Sequence, residues 1–199
     1  GTGEIHKTGV KTSKGVVGLD LTRLFVGSEG VLGILSEATL KILPLNNSVK
    51  TFEITFETLK SASDMIIMLM TQPITPYKLE FVDEQSVKLI NSIKKNHFEI
   101  NTKSAVLLEI DGDVDFIDIQ SKKLLKLMQS KEHKKITIAE NKTEIAELWK
   151  ARKSLSPALK EIGGYKINED IAVPISNLTK LLNNLSITSK KYGVRIVNF

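Results

Sequence analysis

The stretch Val49–Leu69, "VKTFEITFETLKSASDMIIML", changes its hydrophobic period halfway along. Its first nine residues alternate apolar and polar side chains, which is typical of a half-buried β-strand. From Ser61 onward the apolar residues recur at helical spacing, which predicts an amphipathic helix with Ala62, Met65, Ile66 and Leu69 on its inner face. The stretch therefore predicts one strand followed by one helix.

The same alternation of strand and helix continues toward the end of the chain. Further strands are predicted at "YKLEFVD", "SAVLLEID", "KKITIA", "YKINEDIAVP" and "VRIVNF". Further helices are predicted around Val87, after Asp113, from Asn141 to about Lys160, and from Ser176 to Gly193. Because the strands are amphipathic, we expect an α+β, ferredoxin-like domain with a mostly antiparallel sheet and helices on one face. The alternative is a parallel doubly wound sheet, which would require more continuously apolar strands.

The segment before Pro44 has a different character. It is rich in glycine and β-branched residues and is interpreted as strands and turns, including a strand at "EATLKIL" (residues 37–43). The cluster "PLNNS" predicts a turn and a boundary, which divides the chain into domains at residues 1–46 and 47–199. The chain starts with glycine and ends inside a predicted strand, so both ends are expected to be cuts in a longer protein.

Composition excludes several classes of function. The 199 residues include no cysteine, so disulfides, iron–sulfur clusters and thiolate zinc sites are excluded, in agreement with a cytoplasmic location. The longest apolar run, Met65–Met70, is far shorter than a membrane span, so no transmembrane segment is expected. The net charge is +5, but the lysines are scattered and lack interleaved aromatics, so no nucleic-acid partner is expected.

A glycine-rich stretch, "GSEGVLG" (residues 27–33), is the first candidate for a binding site. Gly27, Gly30 and Gly33 could free backbone N–H groups for the close approach of a phosphate or a flat ring system. The hydroxyl of Ser28 adds another donor. On these residues alone, an ordinary turn and a nucleotide contact are equally good interpretations.

An arginine inside an apolar helix stripe is the second candidate. Arg152 follows Leu148 and Trp149 at helical spacing and precedes Leu155, and Pro157 is expected to kink the helix. An arginine that faces an interior needs an anion, and its planar fork suits a carboxylate. The alternative is a structural ion pair with an acid such as Glu169 or Asp170, or a side chain that reaches back to solvent.

These two candidates resemble motifs of one family. "GLDL" at residues 18–21 and "GSEGVLGI" at residues 27–34 resemble the end of the FAD-binding domain, of the PCMH type, in FAD-linked 2-hydroxy-acid dehydrogenases. "LWKARKSLSPAL" and "INEDIAVPISNL" resemble the substrate (cap) domain of the same family. That family belongs to the vanillyl-alcohol-oxidase-type flavoproteins, and its glycolate oxidases and D-lactate dehydrogenases are the most similar group. Leu19 and Val31 depart from the usual tyrosine and threonine of these proteins.

The resemblance implies a reaction in which FAD takes a hydride from the α-carbon of a small 2-hydroxy acid, glycolate or D-lactate. It implies that Arg152 holds the substrate carboxylate, and that Ser156 stands where some members use a threonine. Some members also use a lysine, at the position of Asn168 here, while Lys166 is near but out of register. It implies FAD contacts from Gly18, Asp20, Gly27, Ser28, Glu29, Gly30, Gly33 and Ile34.

The resemblance also carries expectations about groups outside this chain. Family members have a histidine-rich motif after the strand that corresponds to "VNF", so a divalent metal in the parent protein would use residues beyond Phe199. Partner subunits of an oxidase complex are implied, with membrane association through them. The chain by itself is expected neither to hold FAD firmly nor to turn over. The alternative is a ferredoxin-like ligand-binding or protein-interaction module without redox activity.

Overall fold

The computed structural model describes residues 2–199 and divides into two compact units, Gly1–Pro44 and Leu45–Phe199. The first unit contains one short helix, α1 (Leu21–Phe25), which begins where the Asp20 side chain accepts a hydrogen bond from the N–H of Arg23 at 3.2 Å. The strand predicted at residues 37–43 is wrong: this stretch has no regular structure, and Leu40 and Ile42 are exposed. An alternating sequence forms a strand only beside a hydrogen-bonding partner, and the described part of this unit provides none.

The second unit is built on one antiparallel sheet. Its strands are β1 (Ser48–Phe56), β2 (Lys78–Val82), β3 (Ser104–Gly112) and β4 (Lys135–Ala139), in the order β2-β3-β1-β4. The helices are α2 (Leu59–Thr71), α3 (Glu84–Ile93), α4 (Val114–Gln129), α5 (Lys142–Lys153), α6 (Leu155–Glu161) and α7 (Leu178–Tyr192). The predicted antiparallel sheet and α+β class are confirmed. The order of strands and helices is that of a ferredoxin-like domain, with one additional helix, α3, between β2 and β3.

The helices cover both faces of the sheet rather than the single face expected. On the first face, Phe52, Ile54 and Leu108 pack with residues of α2 and α4 such as Leu69 and Leu124. On the second face, Val82, Ala105 and Leu107 of the sheet are buried beneath α3, α5 and α6. The helices contribute Ile90, Trp149 and Leu155 to this side of the core. The central strands β1 and β3 are buried on both sides over most of their length, and a single helical layer would leave one side exposed.

Two other predicted strands are absent. The segment "YKINEDIAVP" (residues 165–174) has no regular structure, and Tyr165 and Ile167 are exposed. "VRIVNF" (residues 194–199) also lies outside the sheet. Its Asn198 is nevertheless fixed, because its carbonyl accepts from the N–H of Asp83 at 3.1 Å and its own N–H donates to the Asp83 carboxylate at 3.0 Å. Apolar alternation was present in both segments, but a neighbouring strand was not.

The long helix predicted from Asn141 is broken into two. It begins close to the predicted start: Asn141 caps α5 by accepting a hydrogen bond from the N–H of Glu144 at 2.9 Å, and α5 ends at Lys153. Ser154 interrupts the helix, and α6 begins at Leu155. Pro157 therefore falls in the first turn of α6. A proline is tolerated there because the first N–H groups of a helix have no partner inside it. No helix within residues 2–199 is long and apolar enough to cross a membrane.

Candidate functional site

A row of polar side chains crosses the second face of the sheet beneath α5. The antiparallel register places Lys78 of β2 opposite Glu109 of β3, and Glu109 opposite Thr51 of β1. Glu80 lies two residues farther along β2, so its side chain is on the same face. The register thus collects two carboxylates, an ammonium group and a hydroxyl under one helix.

Glu109 is the buried centre of this row. Its side chain is almost completely buried, and it accepts hydrogen bonds from the Thr51 hydroxyl at 2.9 Å and from the Trp149 indole N–H at 2.6 Å. The ammonium group of Lys78 forms an ion pair with its other oxygen. A buried carboxylate is tolerated when its oxygens are bonded and its charge is paired. Glu109 therefore fixes α5 on the sheet through Trp149.

Arg152 lies one helical turn beyond Trp149 on the same side of α5, as the sequence pattern predicted. Its anion is Glu80, and not Glu169 or Asp170: Nε donates a hydrogen bond to Oε2 of Glu80 at 2.9 Å, and Nη2 forms an ion pair with the same oxygen at 2.7 Å. The ring of Phe199 lies 5.0 Å from the guanidinium carbon, a cation–π contact. The third nitrogen, Nη1, makes no hydrogen bond or ion pair within residues 2–199. The pair leaves one donor edge of Arg152 available for another anion.

Ser156 lies in the first turn of α6, just after the helix break that follows Arg152. Its hydroxyl accepts a hydrogen bond from the ammonium group of Lys166 at 3.2 Å. The structure therefore brings Lys166 to Ser156, although the register had favoured Asn168 as the equivalent of the family's lysine. The contact arises because the irregular segment after α6 turns back toward the start of that helix.

The glycine-rich stretch of the first unit forms a compact turn. Gly27, Glu29 and Gly30 have positive φ angles of 85°, 50° and 82°. The N–H of Ser28 donates to the carbonyl of Phe25, and that of Val31 donates to the carbonyl of Ser28. Within residues 2–199, the N–H groups of Glu29 and Gly30 have no hydrogen-bond acceptor. The turn thus presents two adjacent backbone donors and the Ser28 side chain.

The other predicted flavin contacts surround this turn within the first unit. Gly18 also has a positive φ, 77°, and Asp20 caps α1. Gly33 lies against the ring of Phe25, so a larger side chain would meet that ring, while Ile34 is exposed. The turn is exposed, so a phosphate or the edge of a flat ring can reach it. Its N–H groups are the donors that such a ligand would accept. Arg152 and Ser156 belong to the second unit.

A polar cleft of about 250 Å³ occupies the β4 side of the same sheet face. Its buried pair is His97 and Glu53, whose Nε2 and Oε2 atoms are 2.9 Å apart. Lys94 at its rim pairs with Glu147 at 2.8 Å, and the hydrogen bond from Lys94 lowers the pKa of the Glu147 carboxyl. Because these polar side chains bond to one another, the cleft is best explained as a structural network.

No group of three or more histidine, aspartate or glutamate side chains within residues 2–199 is placed to hold a metal ion. The expectation of a divalent metal rests on residues beyond Phe199 and stays a prediction.

Comparisons with known proteins agree on one family. The family described as "FAD linked oxidases, C-terminal domain" matches residues 45–199. The chain is 32% identical over 197 residues to a glycolate oxidase subunit GlcD of Bacillus subtilis (strain 168), covering 99% of this chain and 42% of that protein. It is 30% identical to a mitochondrial D-lactate dehydrogenase [cytochrome] of Arabidopsis thaliana, covering 91% of this chain and 32% of that protein. The chain thus spans less than half the length of these relatives.

A solved structure shares the fold at low sequence identity. It is an alkyldihydroxyacetonephosphate synthase, with a TM-score of 0.62 and 18% identity, covering 87% of this chain and 37% of that one. At this identity the likeness concerns the fold alone.

Proposed function

Since the chain belongs to the FAD linked oxidases through their C-terminal domain, we propose that the intact protein oxidises a small 2-hydroxy acid to the corresponding 2-oxo acid, with FAD as the hydride acceptor. Glycolate or D-lactate is the substrate that its relatives' names suggest. The observation that carries the proposal is the unpaired Nη1 edge of Arg152 on the second face of the sheet.

Arg152 has the properties that a carboxylate-binding residue needs. Its guanidinium is held in plane by Glu80 and on one face by Phe199, so little side-chain entropy remains to be lost when an anion binds. The side chain is 23% exposed, which leaves the free edge accessible while reducing competition from water. A substrate carboxylate on Nη1 would be oriented by a charge-assisted hydrogen bond.

Ser156 and Lys166 supply a second polar group in this part of the unit. The Ser156 hydroxyl already accepts from Lys166, so its own proton is free to donate to a substrate oxygen. Together with Arg152 it could fix the orientation of the hydroxy acid, and orientation is the main contribution that the cap domain makes to hydride transfer.

FAD, when bound, supplies the electron-accepting chemistry. We assign the backbone donors of Glu29 and Gly30 and the Ser28 hydroxyl to the flavin, with Gly18, Asp20, Gly27, Gly33 and Ile34 shaping the approach. Only a part of the relatives' length is present in this chain, so retention of FAD by the chain alone is not expected. Partner subunits and a cytoplasmic location, with membrane association through those partners, are also proposals, since a similar protein is named as a subunit.

Substitution of Arg152 tests the proposed function. In the intact flavin-loaded protein, Arg152→Ala should raise KM for the 2-hydroxy acid about 100-fold, because a charge-assisted contact to the carboxylate is lost. The FAD content per chain should not change. Lys153→Ala is the matched control, since this neighbouring cation is exposed and pairs with no acid within residues 2–199. An unchanged KM in Arg152→Ala would remove Arg152 from the site.

A further inference from the structure

Asn198 is held at the end of β2 by a clamp of hydrogen bonds from Asp83 and Ser86. The N–H of Asp83 donates to the Asn198 carbonyl at 3.1 Å, and Oδ2 of Asp83 accepts from the N–H of Asn198 at 3.0 Å and from its Nδ2 at 2.8 Å. The hydroxyl of Ser86, a fully buried residue, donates to the same Asn198 carbonyl at 3.0 Å. Residues 194–199 form no strand, so these bonds, and not a strand ladder, fix Asn198.

Asp83 is itself a fixed point of the fold. It directly follows β2 and caps α3, because its Oδ1 accepts a hydrogen bond from the N–H of Ser86 at 2.8 Å. One carboxylate oxygen thus serves the helix and the other serves Asn198. The position of Asn198 is therefore set relative to both β2 and α3.

The clamp also determines where Phe199 lies, since Phe199 is the next residue along the chain. Its ring is 5.0 Å from the guanidinium carbon of Arg152. Glu80, which contacts Nε and Nη2 of the same guanidinium, belongs to β2. The end of β2 thus holds Arg152 in two ways, directly through Glu80 and indirectly through the clamp and the Phe199 ring.

We propose that Asp83 is a positioning residue for substrate binding, which acts on Arg152 through Asn198 and the ring of Phe199. This inference rests on the proposed function, because it takes Arg152 as the group that binds the substrate carboxylate. An aromatic ring over one face of a guanidinium fixes its plane and keeps water from that face. The free Nη1 edge is then already oriented when the carboxylate arrives, so less conformational entropy is lost on binding.

Asp83→Ser separates the clamp from the helix cap. Serine caps a helix about as well as aspartate does, but its single short hydroxyl lacks the second oxygen that Asn198 uses. In the intact flavin-loaded protein, KM for glycolate and for D-lactate should rise roughly fivefold, the size of a cation–π contact at a partly exposed site. The kcat and the FAD content per chain should not change, because the contact orients a group that binds substrate and transition state alike.

Asp113→Ser is the matched control. Asp113 caps α4, on the first face of the sheet, by accepting from the N–H of Asp115 at 3.0 Å, and its carboxylate does not bond Asn198. The same chemical change in this cap should leave KM unchanged. An equal rise of KM in both variants would show a general effect of the lost carboxylate and would overturn the inference.

Variants of Phe199 test whether the clamp acts through the ring. Phe199→Leu should raise KM about as much as Asp83→Ser does, whereas Phe199→Tyr keeps a ring and should leave KM unchanged. The double variant Asp83→Ser/Phe199→Leu should be no worse than Phe199→Leu alone, because both changes remove one contact. Additive effects, or an unchanged KM in Asp83→Ser, would refute the inference.

Asn198→Leu keeps the inference testable if Asp83→Ser fails to fold. It nearly preserves the side-chain shape and the cap of α3, and it removes the Nδ2 bond to Asp83. KM should rise roughly twofold or more, and this rise should vanish in the Phe199→Leu background. A rise that persists there, or no rise at all, would contradict the inference. An unchanged KM in Arg152→Ala would instead refute the proposed function, so the two failures are distinguishable.

Discussion

Among single side chains, Glu109 is a carboxylate that is almost completely buried and has three bonding partners. Its carboxylate is 2% exposed, and three groups from three other elements satisfy it: Thr51 of β1, Lys78 of β2 and Trp149 of α5. In a low-dielectric environment such a group stabilises the fold only while all its partners remain. Glu109 is therefore the residue on which the seating of α5, and so of Arg152, depends.

Thr51→Val tests this dependence with almost no change in side-chain shape. The substitution removes one donor from a buried carboxylate, so the free energy of unfolding should fall by about 1–2 kcal/mol. Thr55→Val is the matched control, because Thr55 is buried on the same face of β1 but makes no side-chain hydrogen bond within residues 2–199. The measurement is urea unfolding followed by circular dichroism. Equal losses in the two variants would show that the bond to Glu109 contributes nothing.

At the scale of an element, the helix α5 depends on Asn141, the residue that caps its N-terminus. Asn141→Ala removes the side-chain cap of the Glu144 N–H and should cost about 1 kcal/mol of stability. Asn177→Ala, at the equivalent position before α7, should cost much less, since that side chain makes no capping bond. Thermal unfolding of both variants measures the difference. A similar loss in both would contradict the capping role of Asn141.

The sequence predicted those elements whose pattern involves only residues a few positions apart along the chain. Helical spacing predicted α2 and α4, and the cap predicted at Asp113 is present. Residues 37–43 and 165–174 were wrongly assigned to strands because alternation describes one strand and not its neighbour. Glu80 was missed as the partner of Arg152 for a related reason: it occupies a polar position of an alternating strand, and only the pairing of β2 with β3 shows that this side lies beneath a helix.

For the whole molecule, the division of buried residues between the two units is unequal. No side chain within residues 2–44 is buried, whereas the second unit has a continuous core on the first face of its sheet and two smaller clusters on the second. The apolar residues of the first unit, such as Val17 and Ile34, are almost fully exposed. The stability of the chain is therefore expected to reside in residues 45–199.

Deletion of residues 2–44 tests this expectation. The free energy of unfolding of the remainder should stay within about 0.5 kcal/mol of that of the full chain, since no core residue is removed. A deletion that extends through Phe52 should abolish cooperative unfolding, because it removes half of the central strand β1. Urea titrations of the three chains provide the measurement. A large loss on deleting residues 2–44 alone would contradict the prediction.

The strand order β2-β3-β1-β4 also has a kinetic consequence. In each of its three pairings, a helix or a longer stretch of chain separates the two partner strands, and none is a tight hairpin. Each pairing therefore closes a long loop before it gains any hydrogen bonds, and this entropic cost comes early on the folding pathway. Bonds from distant segments converge on Glu109, so the seating of α5 must await assembly of the sheet. Arg152, which lies on α5, would then be among the last groups to reach its final position during folding.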